Sequence, residues 1–189
     1  MYKVKAICIT KEVLSIYKIS ILGNACAGKT TLSKNLSKKL NIPFYSIDEE
    51  LKTLRTTPFP TRQQIRHFSR ELGKLMGKDS WIIEGWCPRA VYESRFQESN
   101  IIIFLDVPLS VCMERMHSRL LNGNLTNDIK RKIVDRATDK ICTFEQHVKP
   151  VILNLMNNYR KKDQSKTIIH LTENSNEEEL IRSLKETYA

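Results

Sequence analysis

From Tyr17 onward, short apolar runs alternate with longer stretches whose apolar residues recur every three or four positions. Lys18-Ile-Ser-Ile-Leu22 predicts a short buried strand stopped by Gly23. Leu32, Leu36 and Leu40 share one stripe of a helix over about 29–40, which Asn41 and Pro43 end. Phe44-Tyr-Ser-Ile47 predicts a second strand ending at Asp48, and Thr61-Arg-Gln-Gln64 is a capping box opening a helix to about Met76. Trp81-Ile-Ile-Glu84 predicts a third strand closed by Gly85, and Pro88 suits the first turn of a helix to about Gln97. Ile101-Ile-Ile-Phe-Leu-Asp106 is almost wholly apolar, as a central parallel strand covered on both faces would be. Pro108 opens a helix to about Leu121, which Asn122-Gly-Asn124 breaks. A long helical pattern then keeps Ile129, Ile133, Ala137, Ile141, Phe144, Val148, Ile152, Leu155 and Tyr159 in phase, with Pro150 expected to kink or divide it. Thr167-Ile-Ile-His-Leu171 predicts a fifth strand, and Ser175 with Glu178 is expected to cap a last helix. Strands alternating with helices predict an α/β chain: a parallel sheet with helices on both faces.

The chain has 189 residues, which predicts a single domain over 17–189 preceded by a peripheral or disordered extension over 1–16. Lys11 and Glu12 interrupt the apolar part of that extension, so it does not read as a signal peptide. No apolar run approaches the roughly 18 residues of a membrane span, and no membrane partner is expected. The cysteines at 8, 26, 87, 112 and 142 are odd in number and far apart, which argues against a zinc site or a disulfide framework and for a reducing, cytoplasmic compartment. A net charge of +10 favours an anionic partner: nucleotide phosphates, nucleic acid or an anionic surface.

Gly23-Asn-Ala-Cys-Ala-Gly28-Lys29-Thr30 chooses among these. It fits the GxxxxGK[ST] phosphate loop and lies between a predicted strand and a predicted helix. Such a loop turns consecutive N–H groups of residues 23–31 (Gly23, Asn24, Ala25, Cys26, Ala27, Gly28, Lys29, Thr30 and Thr31) inward as an anion cradle. Lys29 is the candidate for the β- and γ-phosphates, and the Thr30 hydroxyl the candidate for Mg²⁺. Cys26 sits near Lys29 and a helix N-terminus, conditions that lower a thiol pKa, or serves as a small filler between two alanines.

Further segments resemble adenylate-kinase-like P-loop kinases, nearest the small bacterial topology-modulation-protein group. Glu84-Gly-Trp-Cys-Pro-Arg89 is similar to that family's Asp-Gly-Phe-Pro-Arg, with one residue inserted and Glu in place of Asp. Phe104-Leu-Asp-Val-Pro108 resembles the end of its fourth strand. Arg115 and Arg119 fall where it begins its lid, and Phe144-Glu-Gln-x-x-x-Pro150 resembles its late helix. The resemblance spans 17–186. It implies a three-layer P-loop NTPase fold with strand order 2-3-1-4-5, an acceptor-binding segment over about 48–78, and a short lid over about 121–128 without zinc-ligand positions. The family's late-helix arginine aligns with Lys140, with Arg136 one turn earlier as a substitute.

Phosphoryl transfer needs cations around a group that spreads negative charge over three oxygens. Lys29, Arg89, Arg119, and Arg136 or Lys140 are the candidates, with Arg115 on the nucleotide side. Glu84 and Asp106 end strands beside the loop and are candidates to position Mg²⁺. Asp48 bears on the acceptor. A phosphate acceptor is already ionised, whereas a hydroxyl needs a carboxylate to orient and deprotonate it. Trp86 is a candidate for the acceptor pocket; His67, His117 and His170 share no metal-ligand spacing and read as structural or exposed. The expected activity is ATP- and Mg²⁺-dependent phosphorylation of a small molecule, a nucleoside monophosphate first, by a monomer. Two alternatives stay open: a hydroxyl-acceptor kinase using Asp48 as base, and a non-catalytic ATP-binding regulator that binds nucleic acid. No nucleic-acid motif or aromatic platform supports the last.

Overall fold

The computed structural model describes residues 16–50, 61–85, 89–121, 127–173 and 175–188. Five strands form one sheet: β1 (Lys18–Gly23), β2 (Phe44–Ser46), β3 (Trp81–Glu84), β4 (Ile101–Asp106) and β5 (Thr167–Thr172). Their spatial order is β2-β3-β1-β4-β5, with every neighbouring pair parallel. The connections are α1 (Lys29–Leu40), α2 (Ile47–Glu50), α3 (Arg62–Met76), α4 (Arg89–Glu98), α5 (Leu109–Leu121), α6 (Asn127–Thr143), a π turn (Phe144–Val148) and α7 (Lys149–Lys162); α8 (Glu177–Tyr188) follows β5. This is the three-layer P-loop NTPase architecture in the order that the family resemblance implies.

The strand alternation assigns the layers. On one face Leu22, Trp81, Ile83, Ile102 and Phe104 pack against α3, α4 and α7 through Phe68, Leu72, Phe96, Ile152 and Met156. On the other, Ile19, Ile21, Ile82, Ile101 and Ile103 meet Leu32 and Leu36 of α1 and Leu180 and Leu184 of α8. The strand isoleucines at 19, 21, 82, 83, 101, 102 and 103 are fully buried, each stabilising on the order of 1.5–3 kcal/mol relative to exposure.

Several local expectations change. β2 stops at Ser46, because Ile47 turns into α2 and buries its side chain against the core; Asp48 therefore lies on a helical turn rather than on a strand end. The long helical stretch divides at the π turn just ahead of Pro150, which takes the first turn of α7 where its missing N–H costs nothing. Asn176, not Ser175, caps α8: its Oδ1 accepts from the amides of Glu178 and Glu179, at 2.9 and 3.4 Å, while Ser175 Oγ accepts from the amide of Thr172. The Thr61–Gln64 capping box forms in both directions. The extension through residue 15, the middle of the acceptor segment (51–60), Trp86 and the body of the lid (122–126) lie outside the described residues.

Asp106, a candidate metal residue, points elsewhere. Lys149 Nζ stands 2.7 Å from its Oδ1 and His170 Nε2 2.9 Å from its Oδ2. Desolvation pushes the Asp106 pKa up, but the hydrogen bonds from Lys149 and His170 outweigh it, and the carboxyl is held below its ordinary 3.8. A depressed folded value means stability that is present above about 3.8 and lost as the pH falls through the folded value. Melting temperatures of wild type and Asp106→Asn are thus expected to differ at pH 7 and to converge as the pH drops below 4. A constant gap down to pH 3 would rule out this pair as the source.

Candidate active site

The loop joining β1 to α1 is shaped by its glycines and by one asparagine. Gly23 has φ +149°, and a Cβ there would lie 2.7 Å from the Leu105 carbonyl, so only glycine lets the loop leave β1 this close to β4. Gly28 caps α1 in the left-handed region with no side-chain hydrogen bond, and the first turn carries no acidic residue. The positive end of α1 is left open to an anion. Inside the loop, Asn24 Oδ1 accepts from the amide of Ala25 at 2.7 Å, and Asn24 Nδ2 donates to the Ile141 carbonyl of α6 at 3.0 Å. Lys29 is buried, and its Nζ donates to the main-chain oxygen of Asn24 at 2.8 Å. Burial lowers the Lys29 pKa, opposed by the negative charges of Glu84 and Asp48. A polyphosphate in place of that carbonyl would give the ammonium an ionic partner.

Glu84 ends β3 almost fully buried, with 1% exposure. Its Oε1 accepts from Ser46 Oγ at 2.6 Å and from Thr30 Oγ1 at 3.1 Å, while its Oε2 is buried without a hydrogen-bond partner. A buried carboxylate oxygen left unmatched is costly, and here it belongs to the carboxylate whose other oxygen holds the loop hydroxyl. Hard oxygen donors of this kind fit Mg²⁺, which keeps several waters and leans on substrate phosphates rather than on an all-protein cage. No group of three or more His, Cys, Asp or Glu that could hold a metal occurs among the described residues. Thr30 and Glu84 would hold the ion, and Ser46 orients Glu84. Ser46 was not foreseen; its signal was a small polar residue at an otherwise apolar strand end.

Two clefts of about 320 Å³ each open on either side of the loop. One is lined by Cys26, Ala27, Gly28, Thr31, Arg115 and Arg119, with Thr172 at the end of β5 and Asn176 beyond it. Arg119 Nη1 reaches Cys26 Sγ at 3.7 Å, and Arg115 pairs with Glu173 at 3.5 Å. The other is lined by Gly23, Asn24, Ala25 and Lys29, by Asp48, and by Asp139, Lys140, Thr143, Phe144 and Val148 of α6 and the π turn. Asp48 and Lys140 pair across it at 3.6 Å. Gly85, at φ +111°, makes room for this: a Cβ would come within 3.2 Å of the Asp48 amide and 3.4 Å of its Oδ2.

Of the predicted residues, the loop, Lys29, Thr30, Glu84, Asp48, Arg115 and Arg119 converge. Lys140 lines the second cleft, and Arg136 is exposed and lines neither. Asp106 stays with Lys149 and His170. The Arg89 side chain lies outside the described residues. Phe144, Val148 and Asp139 are additions; the helical phase of Phe144 and Val148 shows an apolar face but not which cleft it meets, and Asp139 lies off that face.

No protein-family model matches the chain. Over 163 residues it is 29% identical to the shikimate kinase of Aquifex aeolicus, covering 75% of this chain and 97% of that protein. It is 25% identical over 146 residues to an adenylate kinase of Rickettsia africae, covering 66% and 68%. Among solved structures, shikimate kinase from Acinetobacter baumannii in complex with shikimate superposes with TM-score 0.57 at 17% identity, covering 89% of this chain and 90% of that one. A putative kinase from Chloroflexus aurantiacus gives 0.55 at 14%, covering 92% and 96%. Fold and sequence together place the chain in the P-loop kinase superfamily, among shikimate- and adenylate-kinase-like proteins, without singling out one of those families.

Proposed function

We propose that this protein transfers the γ-phosphoryl group of ATP to a hydroxyl of a small molecule. The observation that carries this reading is Asp48 in the cleft that also holds Lys29. Two carboxylates, Asp48 and Asp139, line that cleft together with Lys29 and Lys140. A hydroxyl acceptor gains in Asp48 an acceptor for its proton, which an already ionised phosphate does not need. The longer and more complete match to a shikimate kinase than to an adenylate kinase supports the same choice over the nucleoside monophosphate expectation.

In this reading the loop amides and Lys29 hold the β- and γ-phosphates, and Arg115 and Arg119 flank the nucleotide in the first cleft. Asp48 takes the proton of the attacking hydroxyl, and Lys140 keeps Asp48 turned toward the acceptor. Mg²⁺, when bound at Thr30 and Glu84, would neutralise phosphate charge. Catalysis then rests on alignment and on preorganised charge.

The test is ATP consumption screened against sugars, hydroxy acids, nucleosides and nucleoside monophosphates; turnover with the monophosphates alone would overturn the hydroxyl reading. Binding is checked separately. ATP with Mg²⁺ at about 100 times its dissociation constant stabilises by about 2.7 kcal/mol, or roughly 5–10 °C in Tm for a chain of this size. Glu84→Gln is expected to reduce the gain from ATP with Mg²⁺ while leaving that from ATP with EDTA unchanged. An equal loss with and without the metal would remove Glu84 from its coordination.

A further inference from the structure

Asn24 joins three parts of the site at one residue. Its main-chain oxygen receives the Lys29 ammonium at 2.8 Å, its Oδ1 closes the loop on the Ala25 amide at 2.7 Å, and its Nδ2 donates to the Ile141 carbonyl at 3.0 Å. The residue is 2% exposed, so these bonds are not exchanged with water. Ile141 lies fully buried on α6, with Asp139 and Lys140 just before it and the π turn three residues after it. That turn presents Phe144 and Val148, four residues apart, to the acceptor cleft. π turns interrupt helices chiefly at functional sites, and helices bend where a side chain enters their hydrogen-bond ladder.

We infer that Asn24 is a positioning residue that latches the phosphate loop to the wall of the acceptor cleft, so that nucleotide in the loop sets the placement of that wall. The inference rests on the proposed phosphoryl-transfer reading for its nucleotide half; the latch itself does not. Phosphates bound to the loop amides immobilise the backbone that carries Asn24, and the amide-to-carbonyl bond passes that restraint to α6. The same phosphates draw Lys29 off the Asn24 oxygen, while the Asn24 side-chain bond to the Ile141 carbonyl of α6 stays in place. A site assembled this way completes its acceptor side only once ATP is in place, which limits transfer to water.

Hydrogen–deuterium exchange of the amides of 142–148 reads the latch directly. Without nucleotide, Asn24→Ala is expected to exchange at least ~5-fold faster there than wild type, with α3 and α8 unchanged. Asn24→Asp keeps the acceptor for Ala25 but sets an oxygen against the Ile141 carbonyl, and is expected to do the same if the alanine variant fails to fold. With saturating ATP and Mg²⁺, wild type is expected to slow in this segment by at least ~5-fold. In the variants that still melt higher with ATP, the slowing should shrink below ~2-fold. Unchanged exchange in the nucleotide-free variants overturns the latch. Full slowing in ATP-bound variants, or none in ATP-bound wild type, overturns the coupling. A wild type whose Tm does not move with ATP overturns the phosphoryl-transfer reading instead, and the nucleotide-free comparison still decides the latch.

Discussion

Asp48→Asn is expected to lower kcat for a hydroxyl acceptor by ~10²–10⁴-fold, the range contributed by a positioned general base. The substitution keeps the shape of the side chain on α2 and its fit against Gly85, so the clefts persist. What changes is that the cleft loses its proton acceptor and Lys140 its ionic partner at 3.6 Å. ATP should still raise the Tm of the variant, since the loop amides that would receive the phosphates are untouched by the substitution. A loss of less than about 10-fold, measured with the acceptor that the screen identifies, would mean that the attacking group arrives already ionised. The nucleoside monophosphate expectation would then stand again.

Lys29→Met is expected to lower kcat by at least ~10²-fold, the scale of removing one preorganised charge from a developing anion. Methionine keeps most of the buried stem and removes the ammonium alone. In the structure that ammonium rests on the Asn24 carbonyl, with its pKa lowered by burial, so the charge is held out of water at some cost that a phosphate partner would offset. Its removal should therefore show in the ATP-bound protein. The Tm gain from ATP with Mg²⁺ should shrink, while the nucleotide-free protein keeps a sharp transition. Turnover within a few-fold of wild type would exclude Lys29 from the transfer step.

Where the chain was legible, the signal was local. The period of the apolar residues located all five strands and nearly all helix limits, and the phosphate loop announced itself by glycine, lysine and threonine spacing within eight positions. Where it misled, the deciding contact came from elsewhere in the fold. Asp106 resembled a metal residue because it ends a central strand, yet Lys149 and His170, from α7 and β5, take both of its oxygens. Arg95 lies in α4, whose apolar residues form no clear stripe and carry no motif. In the fold it is fully buried and donates to Ser20 Oγ and to the carbonyls of Ile21, Ile83 and Gly85, tying β1 to the end of β3 where the site begins. No spacing rule finds a guanidinium whose partners are main-chain oxygens on two other strands.

The sequence by itself determined the alternation of strand and helix and the anion-binding turn, because both arise from contacts among residues close along the chain. Only the tertiary structure decided which side chains share a cleft. Asp48 meets Lys140, and Asn24 reaches Ile141, because the β2-β3-β1-β4-β5 order folds distant segments onto the same strand ends. Such pairings depend on the direction in which each side chain leaves the sheet, and that is set by the packing of whole layers.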